Sequence, residues 1–175
     1  NSYKWAMSYF AVATGVGTIV PLDKNLEIGE IINLMKRADV ELVFTSYKMH
    51  EKVAKAFKEV NGLKNLVILD EPRDFSSEDS RIIEMNALLG KGSHLINEGD
   101  RRFIDAEVKE DDISTILFTS GTTGLAKGVM LSHMNLSQNV FNMSKYFKIP
   151  MEKDYIGRVL SVLPMHHAYE MTCSI

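Results

Sequence analysis

Residues 118–129 read Phe118-Thr119-Ser120-Gly121-Thr122-Thr123-Gly124-Leu125-Ala126-Lys127-Gly128-Val129. The apolar segment 113–118 runs into this stretch and 128–131 runs out of it, so it reads as a loop between two strands. Its glycines allow the backbone to turn through positive φ and present N–H groups to an anion. The hydroxyls of Thr119, Ser120, Thr122 and Thr123 add donors, and Lys127 adds a mobile point charge. This inventory suits an oligophosphate. It is not a Walker A motif, because Lys127 follows Ala126 and precedes Gly128 rather than standing between glycine and Ser/Thr. It is not a dinucleotide fingerprint, because no helix opens at its third glycine. A plain Gly/Thr turn is the alternative, but such a turn requires neither four hydroxyls nor a lysine.

Working outward, helical and strand patterns alternate, which predicts an α/β fold of layered helices and mostly parallel sheets. Trp5, Ala6, Tyr9, Phe10 and Ala13 share a helical face. A strand is expected at 18–22, ended by Pro21 and Asp23. Ile28, Ile31, Ile32 and Met35 form the next stripe, with Glu27, Glu30, Lys36 and Arg37 pointing outward. Segment 42–45 is a short strand. Met49, Val53, Phe57 and Val60 predict a helix closed by Asn61-Gly62. Segment 66–69 is apolar throughout, the pattern of a strand buried on both faces. A loop at 71–80 precedes an expected helix at 81–89 that stops near Gly90-Lys91-Gly92. The charged, irregular segment 96–112 is the expected boundary between two partial subdomains, 1–98 and 99–175. After the loop, Asn135 and Gln138 suggest a capping box for a helix that buries Leu136, Val140, Met143 and Phe147 and ends at Pro150. A last strand is expected at 159–163.

Composition narrows the classes of function. Twenty basic residues against 23 acidic ones give no support for nucleic-acid binding. The single cysteine, Cys173, excludes an internal disulfide framework. No apolar run is long enough to span a bilayer, and no signal-peptide pattern stands at the start. The expected setting is the reducing cytoplasm. Adjacent His166 and His167 would point to opposite faces of a strand, a poor arrangement for one metal. His133 reads as a helix-start residue. The sequons at Asn135 and Asn142 are dismissed, and the Arg101-Arg102 pair is expected to be solvated. Neither terminus looks like a natural boundary, which suggests a fragment of a larger protein.

The stretch Phe-Thr-Ser-Gly-Thr-Thr-Gly-x-x-Lys-Gly-Val resembles the phosphate loop of the adenylate-forming superfamily, which includes acyl-CoA synthetases, luciferases and peptide-synthetase adenylation domains. Residues 15–23, 131–136 and 163–170 resemble further segments of that superfamily. One position departs from its pattern: Ala126 stands where proline is usual. Glu170 after the histidines is similar to the long-chain acyl-CoA synthetases, and the chain resembles part of their N-terminal domain.

The resemblance implies an AMP-forming ligase using ATP, Mg2+ and coenzyme A. Thr119, Ser120, Gly121, Thr122, Thr123, Gly124 and Lys127 would grip the nucleotide, and Thr119 would help hold the metal. His167 would approach the acyl carboxylate and Tyr169 would line the acid pocket. The implied partners are a carboxylic, fatty acid and a thiol of coenzyme A or a carrier protein. The adenine, ribose, hinge and lid motifs of the superfamily are not among these 175 residues, so the piece alone is expected not to turn over. An aryl- or amino-acid-activating enzyme, a non-adenylating ATP module and a non-catalytic relative remain as alternatives.

Overall fold

The computed structural model describes residues 2–119 and 126–146. Helix α1 (Tyr3–Ala13) is followed by α2 (Ile28–Arg37), strand β1 (Leu42–Thr45), a 3-10 turn (Tyr47–Met49) and α3 (His50–Ala54). A second 3-10 turn (Lys55–Lys58) leads to β2 (Asn65–Ile68), β3 (Ile82–Glu84) and α4 (Met85–Asn97). The hairpin β4 (Ile113–Thr119) and β5 (Lys127–Ser132) comes next, then α5 (His133–Tyr146).

Strands β1, β2 and β3 form a parallel sheet with β2 in the middle, in the register Val43↔Leu66 and Leu66↔Ile82. Its centre is covered on both faces. Leu66 and Ile68 pack with Ile31, Ile32 and Met35 of α2 and with Val53 of α3. Val67 and Leu69 pack on the other face with Met85 of α4, and Trp5 and Met7 of α1 join them. Each such apolar side chain stabilises the fold by about 1.5–3 kcal/mol when fully buried. This explains why segment 66–69 carries no polar alternation.

Helix α1 starts at Ser2, whose hydroxyl accepts the Trp5 N–H at 3.1 Å. Its other end faces the hairpin: Tyr9 and Ala13 pack with Ile19, Leu117 and Leu136. Trp5 stacks on Tyr9 with ring centroids 5.6 Å apart, so it belongs to both clusters. Helix α1 therefore ties the parallel sheet to the hairpin.

Several sequence expectations need correction. The strand expected at 18–22 is a single parallel bridge, Ile19↔Thr115. Ile19 donates to the Ser114 carbonyl and accepts from Ile116 N–H, both at 2.8 Å. Pro21, two residues on, has no N–H with which to extend the ladder. The helix expected from Met49 to Val60 is split, with α3 giving way to a 3-10 turn at Lys55. The tighter winding suits Val53 and Ala56, two buried residues three apart. The helix expected at 81–89 holds only from Met85 on: Ile82–Glu84 is β3, and α4 runs on through Gly90 and Gly92 to Asn97. Gly99, the residue after the C-cap Glu98, takes φ 88, with Asp100 N–H reaching the Leu95 carbonyl.

Helix α5 is capped by Ser132 rather than Asn135. The Ser132 hydroxyl accepts the Asn135 N–H at 3.3 Å, and Asn135 Oδ1 accepts the Ser132 N–H at 3.0 Å. This is a reciprocal box with asparagine in the usual Glu/Gln position. Within α5, Leu136 is packed against α1 while Val140 is half exposed. Phe147, Pro150 and the strand at 159–163 lie outside the described residues. Arg101 and Arg102 pair locally with Asp105 and Asp100. The Arg102 guanidinium holds the Asp100 carboxyl down at about 2.

Candidate nucleotide site

The candidate site is the mouth of the β4–β5 hairpin. The strands are antiparallel in the register Ile116↔Met130, Leu117↔Val129, Phe118↔Gly128 and Thr119↔Lys127. Cross-strand partners share a face, so Thr119 and Lys127 stand side by side at the loop end of the hairpin. Both are exposed. The Thr119 hydroxyl reaches the Lys127 carbonyl at 3.4 Å, a long bond that leaves it free to turn to another acceptor. Ser120, Gly121, Thr122, Thr123 and Gly124 lie in the span between these two residues and outside the described residues, as do His167 and Tyr169.

Alternation along β4 gives the hairpin two distinct faces. One carries Thr115, Leu117 and Thr119. Thr115 is fully buried, and its hydroxyl is 2.8 Å from the Tyr9 hydroxyl of α1. Leu117 packs beside Tyr9 and Ala13. The other face carries Ile116 and Phe118 opposite Met130 and Gly128. There the Phe118 ring crowds the partner strand: a Cβ on Gly128 would lie 3.2 Å from it and 3.2 Å from Ile116. A side chain at 128 would require that ring or Ile116 to give by a few tenths of an ångström.

Arg37, the last residue of α2, completes this second face. Its Nη1 donates to the Ala126 carbonyl at 2.7 Å, and its guanidinium carbon lies 5.2 Å from the Phe118 ring centroid. An open cleft of about 190 Å³ is lined by Arg37, Ala38, Ile116, Phe118, Gly128 and Met130. Arg37 is exposed, as its outward place on the α2 stripe predicts, but nothing in its surroundings in sequence marks it as a contact of the hairpin. A basic residue in the last turn of a helix reads as a partner for the helix dipole. Its actual partner is 89 residues away, beyond the reach of any local pattern.

A larger cavity of about 610 Å³ lies between α1 and α5, bounded by Tyr9, Phe10, Leu136 and Phe141. It is an apolar space, unlike the hydroxyl- and lysine-bearing hairpin mouth. His133, at its edge, is the first residue of α5, as expected of a helix-start residue. Among the described residues, no group of three His, Cys, Asp or Glu side chains could hold a metal ion. No helix among them is long and apolar enough to cross a membrane.

Comparison with known proteins agrees with the resemblance seen at the loop. The chain is 28% identical over 185 residues to a chloroplastic long-chain-fatty-acid–[acyl-carrier-protein] ligase of Arabidopsis thaliana, covering 97% of the chain and 24% of that protein. It is 30% identical over 175 residues to long-chain-fatty-acid–CoA ligase 5 of Rattus norvegicus, covering 97% of the chain and 25% of the relative. The chain thus spans about a quarter of the length of these relatives. Its fold matches the crystal structure of a long-chain-fatty-acid-CoA ligase from Archaeoglobus fulgidus with a TM-score of 0.69 at 22% identity, over 98% of this chain and 30% of that one. The model of the AMP-binding enzyme family matches residues 1–175, its whole length. This chain, with its α/β layers and glycine-rich hairpin, belongs to the AMP-binding enzyme family.

Proposed function

We propose that the chain carries the triphosphate-gripping part of the N-terminal domain of an ATP-dependent ligase, which activates a fatty acid as its acyl-adenylate and passes the acyl group to coenzyme A. The observation that carries this reading is the register that sets Thr119 beside Lys127 at the mouth of a loop of glycines and hydroxyls. The names of the relatives support the acid and the thiol.

In the first half-reaction a carboxylate oxygen attacks the α-phosphorus of ATP. A new O–P bond forms as the bond to pyrophosphate breaks. In the second, a thiolate attacks the acyl carbon and AMP leaves with the bonding electrons. Two anions must meet in the first step, so the protein's work is neutralisation, positioning and exclusion of water. In this proposal residues 119–124 supply N–H and hydroxyl donors to the β- and γ-phosphates. Lys127 balances the charge that builds on the leaving pyrophosphate. His167 and Tyr169 belong to the same proposal, on the acid side.

Mg2+ keeps several waters and is held by substrate phosphates together with one or two protein carboxylates, so the Thr119 hydroxyl would be one ligand added to that set rather than the whole protein contribution. When bound, the ion would neutralise phosphate charge. A division into subdomains 1–98 and 99–175 and a reducing, cytoplasmic setting complete the proposal. The single cysteine of the sequence supports the setting.

The test is labelled pyrophosphate exchange by the intact protein with and without a long-chain fatty acid. Exchange that requires the acid is expected. Phosphate release without acid, or no turnover in either case, overturns the reading. Lys127→Ala is expected to weaken ATP binding about tenfold or more, the scale of one charge-assisted hydrogen bond. Unaltered binding and exchange kinetics would remove Lys127 from the mechanism.

A further inference from the structure

We propose that Arg37 is a positioning residue for the phosphate loop, acting through the Ala126 carbonyl and the Phe118 ring rather than by touching nucleotide. The inference rests on the reading of residues 119–127 as that loop.

Arg37 touches both limbs of the hairpin at once. Phe118 immediately precedes Thr119, and Ala126 immediately precedes Lys127. The guanidinium lies over the Phe118 ring and donates to the Ala126 carbonyl. The peptide unit is planar and trans, so anchoring the Ala126 carbonyl fixes the plane from which the Lys127 backbone departs. On the ascending limb, the Phe118 ring sits between Arg37 and the bare backbone of Gly128. Fixing that ring fixes the point where Thr119 turns to the opposite face. Both proposed donors are thereby held from behind, on the face opposite the one they occupy.

The helix that carries Arg37 is well packed. Arg37 ends a helix whose Ile31, Ile32, Leu34 and Met35 are all buried. The helix end is locked by Val40 N–H to the Met35 carbonyl at 3.0 Å and Asp39 N–H to the Lys36 carbonyl at 3.4 Å. Arg37 thus joins the helical layer of the parallel sheet to a loop 89 residues further along the chain. A lysine could supply the charge and one bond, but not a planar group that donates to a carbonyl while lying over a ring.

The experiment compares Arg37→Met, Arg37→Lys and Lys127→Ala in the intact enzyme. It measures KM for ATP and for the fatty acid by pyrophosphate exchange, and backbone hydrogen exchange across residues 118–128. Arg37→Met is expected to raise the ATP KM about three- to tenfold and leave the acid KM unchanged. Hydrogen exchange in the loop should quicken while that of β2 does not. Arg37→Lys should restore part of both losses. Equal rises in both KM values, or faster exchange spread over β2, would make Arg37 a general stabiliser and overturn the proposal. An unchanged ATP KM and unchanged loop exchange would overturn it too. Lys127→Ala separates the two claims: if it weakens ATP binding and Arg37→Met does not, the positioning role alone fails. If neither variant affects ATP, the phosphate reading fails with it.

Discussion

Ala126 stands in the phosphate-loop pattern where the superfamily usually has proline, and the structure gives this position a definite task. Its carbonyl is the acceptor for Arg37. Proline keeps that carbonyl and restricts φ, so the loop's exit would lose freedom in the unfolded chain without losing the anchor. Ala126→Pro is therefore expected to raise stability by about 0.4–1 kcal/mol, chiefly through the unfolded state. Denaturant titration of both proteins would show it as a higher midpoint at constant slope; an equal or lower midpoint would mean that the exit peptide does not take proline's geometry. The two strands that flank the loop were legible in the sequence because their apolar segments stand directly beside the glycine-and-hydroxyl run. The contact of Arg37 with Ala126 was not, because it depends on a helix end meeting a distant carbonyl.

At the scale of elements, what the sequence hid was where helices stop. Gly90-Lys91-Gly92 looks like a terminus, yet α4 continues through it. Nothing lies within 4 Å of a Cβ at either glycine, so each costs only its propensity, about 1 kcal/mol against alanine. The stop comes where Gly99 can take a positive φ. Strand β3 was missed because it is only three residues long and runs directly into α4, so its apolar pair reads as part of the helical stripe. Strand β2 was legible because burial on both faces leaves no polar position to confuse the pattern. The end of α2 poses a related question. Asp39 occupies the left-handed region at φ 48, where a side chain is strained, and it places a carboxylate against the negative end of the helix dipole. Asp39→Gly is expected to stabilise by about 0.5–1 kcal/mol, since the relief exceeds the added chain entropy of glycine. Thermal unfolding of the variant would test this, and a lower melting temperature would show that Asp39 makes a compensating contact.

Across the whole molecule, the hairpin is held from two sides by parts of the chain that precede it by many residues. Arg37 holds one face, and α1 holds the other through the Tyr9–Thr115 pair, 106 residues apart in sequence. Thr115 shares its face of β4 with Thr119, so α1 braces the inner end of the strand whose outer end carries a proposed phosphate ligand. The bond is also a commitment. Thr115 is fully buried and Tyr9 nearly so, and a buried hydroxyl that loses its partner costs about 1–3 kcal/mol. Tyr9→Phe leaves the Thr115 hydroxyl without this partner, and Thr115→Val does the same to Tyr9. The double variant removes both polar groups together, so it should lose less than the sum of the single losses. A double-mutant cycle on unfolding free energy is expected to give a coupling of about 1 kcal/mol, within the range for residues in direct contact. Strict additivity would mean that the two hydroxyls do not depend on each other, and α1 would then hold β4 through apolar packing alone.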